Sequence, residues 1–480
     1  MNVNRLNGLL IFLLLLSLIS PVFSQEISSQ PQTADTRLQL TLEECIQKAL
    51  ENNHQRKVSQ FAVDMAEAQH KQALSAFWPE LAAKVSYVEL DENPNFIIPS
   101  QSFDYQIAGL MPFPIQGSID VPEMNIQLMD KRTVTSSLVL TYPLFTGGKI
   151  RSIVRQAKMG LNAAQEEARR TDLQVVYDVR RMFWGSLLAK NTHELCKETL
   201  TRMEVTLDLT EELYKKSSGT VKKTDYLRNK VVVESLRSIV AFLESGEIMS
   251  RAALTNTMGL DWEQDIMLVD NTIPYAPFEI DLRSLVTNAY AFNPDWAKIE
   301  AGLTAAEARI REKQGDYFPQ IGFEGTLNHL ENDYEYGLIT PENTNSWSVG
   351  LGMHLTLFRG FRTRNSVKEA RARVEQLKEQ KIMLREGIAL QIKDIFYRLM
   401  MSQQQHQATT AAAQAAEENR ELNIKAYQQE LVETQDVIEA QLMEFFVKTQ
   451  HYKALFDHIE AKAHLDYVVG TEVEKLVFGQ

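Results

Sequence analysis

Residues 142–148 read Tyr-Pro-Leu-Phe-Thr-Gly-Gly, and residues 355–361 read Leu-Thr-Leu-Phe-Arg-Gly-Phe. The two stretches align with each other, and the sequences that follow them align at the same offset without a gap. One equivalent pair, Tyr214 and Tyr427, lies at the far end of the alignment. Self-similarity at a fixed offset is the signature of repeated structural units, so the chain contains two copies of one unit.

A second alignment, upstream of the first, has a larger offset. It pairs Asn53 with Asn293 and Pro79 with Pro319. Because the two offsets differ, the first copy carries an insertion between Pro79 and Phe145. Five prolines crowd this insertion, which predicts a longer loop there than in the second copy.

Each unit reads as helix, strand, loop, strand, long helix, turn and helix. The assigned segments are a first repeat at 41–258 with a β-hairpin at 80–144, a linker at 259–279, a second repeat at 280–470 with a β-hairpin at 319–357, and a tail at 471–480.

The N-terminus has the pattern of a secretory signal peptide. Arg5 precedes a short apolar run at 9–19, and Val22-Phe23-Ser24 places small residues before a cleavage site at Gln25. We therefore expect residues 1–24 to be removed and residues 25–40 to form an N-terminal leader. The alternative is an uncleaved anchor, although the run is shorter than a membrane-spanning helix requires.

Four segments alternate apolar and polar residues with period two, which predicts strands with one apolar face. The predicted strands are Leu81–Leu90, Arg132–Leu144, Gln320–His329 and Ser346–Leu357. Their length of about ten residues suits a tilted crossing of a bilayer with apolar side chains facing lipid. A soluble β-sandwich could show the same alternation. The loops at 91–131 and 330–345 are expected to face the outside of the cell.

Two proline-free stretches are rich in good helix formers. The first predicts one uninterrupted helix from Gly147 to Tyr214, about 100 Å long. Helices of this length pack side by side as coiled coils. The predicted seam residues recur every seven positions: Val154, Leu161, Ala168, Val175, Met182, Ala189, Cys196 and Met203. The predicted helices Asn53–Phe77 and Val221–Met258, placed end to end, match the length of the long helix.

Composition and motifs argue against several classes of function. The formal net charge of −13 disfavours nucleic acid as a partner. The two cysteines, Cys45 and Cys196, are too few for a disulfide scaffold and are interpreted as packed apolar residues. The spacing of His451, His458 and His464 does not suit a metal, so exposed or seam-edge histidines are expected. We expect no cofactor, no metal and no catalytic site, and therefore not an enzyme.

At this point the sequence resembles a known family, the TolC-type outer-membrane efflux proteins. The resemblance covers about residues 38–472 and is carried by the tandem repeat together with these motifs: Leu42-Glu-Glu-Cys-Ile-Gln-Lys-Ala49 with Asn53, Trp78-Pro79, Pro143-Leu-Phe-Thr-Gly-Gly148, Ala157, Ala426-Tyr427 and Asp436-Val437-Ile438. Three positions depart from the family pattern. Thr356 replaces a proline, Phe361 replaces a glycine, and Glu430 stands where the turn glycine is expected.

The resemblance implies a mixed α+β membrane protein. Three chains would form a 12-stranded β-barrel in the outer membrane that continues into an α-helical barrel across the periplasm. Barrel physics agrees with a homotrimer, because four strands cannot close a barrel and open strand edges are not tolerated in lipid. Two chains would give a barrel filled by side chains, whereas three would leave a lumen.

The resemblance also implies a pore gate at the turns between long and short helices. Tyr427 matches the family's gate tyrosine, and Asp436 and Glu439 match its two acidic ring positions. The gate arginine position holds Val432. The alternative is that the two acids are ordinary charges at a helix start. The first-copy turn is basic, with Lys215, Lys216, Gly219, Lys222 and Lys223 either contacting an adaptor or simply solvated.

The predicted function is a passive outer-membrane exit duct of a tripartite efflux or type I secretion system. Its partners would be two further copies of the chain, a periplasmic adaptor (membrane fusion) protein, an inner-membrane pump and outer-membrane lipid. One alternative is a periplasmic coiled-coil structural or adaptor protein, which would not explain four alternating strands. A secreted enzyme on a helical scaffold is a second alternative, and no motif supports it.

Overall fold

The computed structural model describes residues 38–107, 113–216, 221–333, 338 and 344–472. The predicted signal peptide and most of the leader and tail lie outside these residues. The described strands are β1 (Leu38–Leu40), β2 (Glu80–Glu89), β3 (Asn95–Ile98), β4 (Gln101–Ile107), β5 (Ile115–Val121), β6 (Met124–Gln127), β7 (Arg132–Phe145), β8 (Ile266–Leu268), β9 (Gln320–Asn332) and β10 (Asn345–His354).

The helices are α1 (Leu42–Asn52), α2 (His54–Ser75), α3 (Lys149–Lys215), α4 (Lys223–Thr257), α5 (Leu282–Phe292), α6 (Pro294–Gln314), α7 (Arg362–Gln428) and α8 (Thr434–Val469). Within the described ranges, none of them is both long enough and apolar enough to span a bilayer.

One antiparallel sheet contains the four predicted strands, in the order β10–β9–β7–β2. Leu81 pairs with Leu140 and Ala83 pairs with Leu138, so the apolar residues of β2 and β7 share one face. Strands β2 and β10 form the two edges of the sheet. The four predicted strands are confirmed, although β10 ends at His354 and the predicted continuation to Leu357 is not a strand.

The insertion of the first repeat differs from the predicted loop. It folds into two short ribbons, β3 with β6 and β4 with β5, which extend the β2–β7 hairpin. The prolines lie beside these strands rather than inside them: Pro94 and Pro99 flank β3, while Pro114 and Pro122 flank β5. Proline is tolerated at such positions because no ladder hydrogen bond is lost there.

Helices α3 and α7 are each 67 residues long, and their first and last residues are equivalent in the sequence alignment that pairs Tyr214 with Tyr427. Both helices begin after a residue in the left-handed conformation, Gly148 at φ 80° and Phe361 at φ 60°. The second repeat therefore keeps the glycine-type backbone although its residue is phenylalanine. The two long helices are the repeated element that the sequence alignment predicted.

The short helices pack along the long ones. Helices α2 and α4 both lie on α3, and α6 and α8 both lie on α7, while α6 and α8 also contact α3. All eight predicted seam residues of α3 are buried or half-buried, with Cys196 and Met203 fully buried. Cys196 packs in a cluster with Val233 of α4 and Ile438 of α8, which joins the two repeats.

Candidate functional site

The helix ends farthest from the sheet form the predicted gate region. Because α3 and α7 start a few residues after β7 and β10 and run for 67 residues, their far ends lie about 100 Å from the sheet. The turn after α3 includes residues 217–220, which lie outside the described residues. Gly219 is one of these four residues. The turn after α7 is described in full.

The turn after α7 closes with a Schellman arrangement. Leu431 N–H donates to the carbonyl of Ala426 at 2.9 Å, and Glu430 N–H donates to that of Tyr427 at 3.0 Å. Glu430 takes the left-handed conformation, with φ 57°. This is the conformation that usually requires glycine, so the departure from the family pattern changes the residue and not the backbone.

Tyr427 is buried, at 4% exposure, and its hydroxyl joins three helices. It lies 2.8 Å from Thr210 Oγ1 on α3 and 2.9 Å from Thr434 Oγ1 at the start of α8. Thr210 donates its own proton to the carbonyl of Thr206 at 2.7 Å, so Tyr427 donates to Thr210 and accepts from Thr434. This chain of hydroxyl groups links the end of the first long helix to the turn of the second repeat.

Two buried amides extend this polar group. Asn229 Nδ2 donates to Thr210 Oγ1 at 3.4 Å, and Gln441 Nε2 donates to Thr206 Oγ1 at 2.9 Å. The amide oxygens of Asn229 and Gln441 are buried without a hydrogen-bond partner among the described residues. A buried unsatisfied acceptor costs about 1–3 kcal/mol, so this packing is less stable than an apolar seam.

A cluster of charges lies further along α8. The carboxylate of Glu444 is fully buried and pairs with Arg420 at 2.9 Å, Lys448 at 2.8 Å and Arg202 at 3.2 Å. Lys448 also pairs with Glu417 at 3.3 Å. Burial lowers the pKa of Lys448, but the hydrogen bonds and charges of Glu444 and Glu417 outweigh it and raise this pKa overall. Arg202 belongs to the first repeat, so this cluster is a second polar link between the repeats.

The two candidate ring acids are exposed, unlike Tyr427. Asp436 accepts the backbone N–H of Glu433 at 3.0 Å and so caps the start of α8. Glu439 accepts from Gln435 Nε2 at 2.6 Å. Both carboxylates lie one turn apart on the same helix. Val432, at the position of the missing arginine, is half-buried.

The basic turn of the first repeat is exposed. Lys215, the last residue of α3, pairs with Glu211 at 2.8 Å, and the adjoining Lys216 pairs with Glu212 at 3.5 Å. Lys222 is the residue before α4, and its backbone N–H donates to Asp225 at 3.0 Å. Lys223 is exposed at the first position of α4. These four lysines take no part in the described hydrogen bonds of the Tyr427 hydroxyl.

Sequence reasoning missed Thr210, a partner of Tyr427, and the other buried polar residues of these two clusters. Thr210, Asn229, Gln441 and Glu444 lie on three different helices, and each looks like an ordinary polar residue of a helical surface. The sequence carried one signal for this site. Thr206 and Thr210 follow Met203 at helical spacing and so continue the buried face of α3. The interpretation of His458 as exposed or seam-edge was wrong, since its side chain is buried at 1% exposure.

Comparison of this chain with known proteins supports the architecture described above. A profile of the outer membrane efflux protein family matches residues 45–260 and 285–471. The chain belongs to the outer membrane efflux protein family. Membership confirms the resemblance, the outer-membrane location and the fold class predicted from the sequence.

Individual relatives are more distant. Protein CyaE of Bordetella pertussis is 28% identical over 155 residues, which cover 32% of this chain and 32% of that protein. The match thus spans about a third of the length of this curated relative. The outer membrane protein VceC of Vibrio cholerae has a TM-score of 0.70 at 17% identity, covering 90% of this chain and 96% of VceC. The outer membrane channel CmeC of Campylobacter jejuni has a TM-score of 0.70 at 15% identity, covering 91% and 88%.

Proposed function

We propose that three copies of this chain form a passive duct through the outer membrane and the periplasm, as the exit component of a tripartite efflux or type I secretion system. The observation that carries the proposal is the direct continuity of a four-stranded sheet with two 67-residue helices in each copy. In each repeat, only a short connection, 146–148 or 355–361, separates a strand of bilayer-spanning length from a helix about 100 Å long. Such a chain suits a conduit rather than a catalyst, and no chemical step is assigned to it.

The open edges of the sheet support the proposed trimer. Strands β2 and β10 present unpaired backbone groups, which lipid cannot satisfy. Pairing β2 of one copy with β10 of the next closes the sheet, and three copies give a barrel wide enough for a lumen. The exposed apolar residues Leu81, Val85 and Trp347 suit the lipid-facing surface of such a barrel.

The proposed gate lies at the far helix ends. Tyr427 and Thr210 hold the two repeats together there, while the exposed Asp436 and Glu439 of three copies would surround the entrance. The unsatisfied amide oxygens of Asn229 and Gln441 suit a packing that must also open. In this proposal the gate is held by the Tyr427 hydroxyl and not by an arginine at Val432.

The proposed partners are a periplasmic adaptor protein and an inner-membrane pump that supplies the energy. The exposed lysines Lys215, Lys216, Lys222 and Lys223, together with Gly219, are the proposed contact for an acidic adaptor surface. The proposal also retains residues 1–24 as a signal peptide, residues 259–279 as a linker at mid-height, and the segments 91–131 and 330–345 as extracellular.

Cysteine labelling on intact cells tests the orientation. Phe113, beside the β4–β5 ribbon, is 80% exposed, and Leu431, in the turn after α7, is 71% exposed. The native Cys45 and Cys196 are fully buried, so they give little background. A membrane-impermeant maleimide should label Phe113→Cys on intact cells and Leu431→Cys only after the outer membrane is permeabilised. The opposite pattern would reverse the orientation, and a chain absent from the outer-membrane fraction would refute the duct.

A further inference from the structure

Exposed aromatic side chains mark the ends of the strands where they lead into the helices. Trp78 precedes β2, Phe318 precedes β9, Phe145 ends β7, and Phe358 follows β10, with exposures between 44% and 73%. Aromatic residues concentrate at the membrane–water interfaces of barrel proteins. These four therefore place the inner headgroup layer of the membrane at the junction between strands and helices.

A cavity of about 490 Å³ lies at this junction, and three arginines line it. Arg151 and Arg155 come from the first two turns of α3, and Arg311 comes from the last turn of α6. All three are exposed, and their side chains form no ion pair or hydrogen bond with the described residues. The remainder of the lining is largely uncharged and includes Ser152 and the ring of Phe318.

The two repeats meet closely to bring these arginines together. Gly147 has φ 62°, and a Cβ atom there would lie 2.6 Å from the carbonyl oxygen of Gly315 and 2.8 Å from Cβ of Phe318. Only glycine permits this approach. The contact sets the end of α6 beside the start of α3, so Arg311 of the second repeat faces the arginines of the first.

Nearby acids do not neutralise the arginines. Asp316 pairs with Lys149. Glu312 accepts from Gln156 at 2.8 Å and from Lys313 at 2.6 Å. Four cations and no acid occur between Gly147 and Gln165, in a chain whose net charge is −13.

The second repeat has the same charge pattern. Arg364 and Lys368 stand where the first repeat has Arg151 and Arg155, again in the first two turns of a long helix. Both repeats thus place cations immediately beyond the aromatic residues. The positive end of each helix dipole adds to this field.

We propose that the cavity lined by Arg151, Arg155 and Arg311 binds the phosphate of an anionic phospholipid in the inner leaflet of the membrane. Guanidinium groups bind phosphate oxygens through paired N–H donors, and unpaired arginines at headgroup depth attract anionic lipid. The neighbouring apolar ring of Phe318 suits the acyl chain region. The bound lipid would fasten the strand–helix junction to the membrane surface. This inference rests on the outer-membrane placement in the proposed function.

The test uses the full-length protein reconstituted in nanodiscs that contain phosphatidylglycerol and phosphatidylcholine. Native mass spectrometry counts the lipids retained by the wild type and by the variant Arg151→Gln/Arg155→Gln/Arg311→Gln. We expect retention of phosphatidylglycerol over phosphatidylcholine to fall on the order of tenfold in the variant. The matched control Lys230→Gln/Lys425→Gln/Lys453→Gln removes three exposed cations at helix positions far from the sheet and should retain lipid as the wild type does.

Two results would overturn the inference. One is equal phosphatidylglycerol retention by the wild type and the arginine variant. The other is displacement of the bound lipid by millimolar inorganic phosphate, which would make the cavity a site for a free anion. The oligomeric mass in nanodiscs, and the channel conductance of the same protein preparations in planar bilayers, separate this inference from the proposed function. A conducting trimer that shows either result refutes the lipid site alone, whereas a wild type that forms no conducting trimer refutes the duct.

Discussion

Asn53 and Asn293 make equivalent hydrogen bonds in the two repeats, and the side chain of each forms a joint between two helices. The Oδ1 atom of each caps its own helix, accepting at 2.8 Å from Gln55 N–H and from Asp295 N–H respectively. The Nδ2 atom of Asn53 donates to the carbonyl of Thr257 at 2.8 Å, and the Nδ2 atom of Asn293 donates to the carbonyl of Val468 at 2.7 Å. Each asparagine thus ties the start of one short helix to the end of another. This joint lets two short helices run along one long helix as a continuous column.

Replacing Asn293 by alanine should destabilise the fold by about 2 kcal/mol, because the variant loses the helix cap, about 1 kcal/mol, and the hydrogen bond to Val468, about another 1 kcal/mol. The midpoint of thermal unfolding, followed by circular dichroism in detergent, measures the change. Asn419→Ala is the control, because Asn419 is exposed within a helix and its change should lie within about 0.5 kcal/mol of the wild type. Equal midpoints for all three proteins would show that the joint contributes nothing.

Gly470 should tolerate no side chain. It has φ 91°, and a Cβ atom would overlap the carbonyl oxygen of Phe292 in the same joint. Gly470→Ala is therefore expected to lower the unfolding midpoint and the yield of folded protein. Gly160→Ala is the matched control, because Gly160 lies inside α3 with open space around it. That change should stabilise the helix by up to about 1 kcal/mol. Lower stability of the Gly160 variant than of the Gly470 variant would contradict the described geometry.

Stability should fall as the pH falls below about 6.5. His458 Nε2 donates to the carbonyl of Ala276 at 2.8 Å, and Nδ1 lies 3.0 Å from Ser402 Oγ. Burial lowers the pKa of His458, with smaller contributions from Ala276, which raises it, and from Lys462 and His406, which lower it.

The folded state therefore favours the neutral imidazole. The stabilisation that comes from keeping His458 neutral is fully present above the pKa of histidine in the unfolded chain, about 6.5. It is lost as the pH falls from that value towards the lower pKa of His458 in the folded protein. Burial also lowers the pKa values of His406 and His451. Unfolding midpoints at pH 7.5 and 5.5 measure the effect. His458→Gln should reduce the difference between the two midpoints, whereas the exposed control His54→Gln should not. An unchanged difference in the His458 variant would count against this account.

Neutralising the two candidate ring acids should weaken cation selectivity. Because Asp436 caps α8, Asp436→Asn/Glu439→Gln removes both charges while keeping oxygen acceptors for Glu433 and Gln435. Three copies would remove six carboxylates from around one axis, where their field attracts cations. The reversal potential in a salt gradient measures selectivity. Asp64→Asn/Glu67→Gln, on α2 and far from the turns, is the charge-matched control. A reversal potential equal to that of the wild type, with the trimer intact, would leave both acids as surface charges.

Much of the fold could be predicted from the sequence because the repeat is regular. The alignment that pairs Tyr214 with Tyr427 also pairs the ends of α3 with those of α7, and the alternating residues of β7 and β9 are paired strands. The ribbons β3–β6 and β4–β5 were not predicted, because their strands are short and flanked by prolines. The conformations of Phe361 and Glu430 were also not evident, since positive φ is expected of glycine and neither residue is a glycine.

The candidate site was only partly predictable. Tyr427 was found through the family resemblance, and the structure places its hydroxyl against Thr210, 217 residues earlier in the chain. No spacing rule relates residues that meet through the packing of two long helices. Glu444 has the sequence context of a solvated charge, and only the packing of Arg202 and Arg420 around it shows that it is buried.

Single-channel conductance in planar bilayers tests the central claim most directly, namely that the trimer is a duct held closed at Tyr427. The wild type should show small, discrete conductance steps. Tyr427→Phe/Thr210→Val removes both hydroxyl groups of the 2.8 Å contact, which contributes about 1 kcal/mol in each copy. When the three copies open together, the loss of about 3 kcal/mol should increase the time spent in a large-conductance state on the order of a hundredfold. Intact trimers that show no discrete conductance, or variant and wild type with the same steps and open times, would contradict the account.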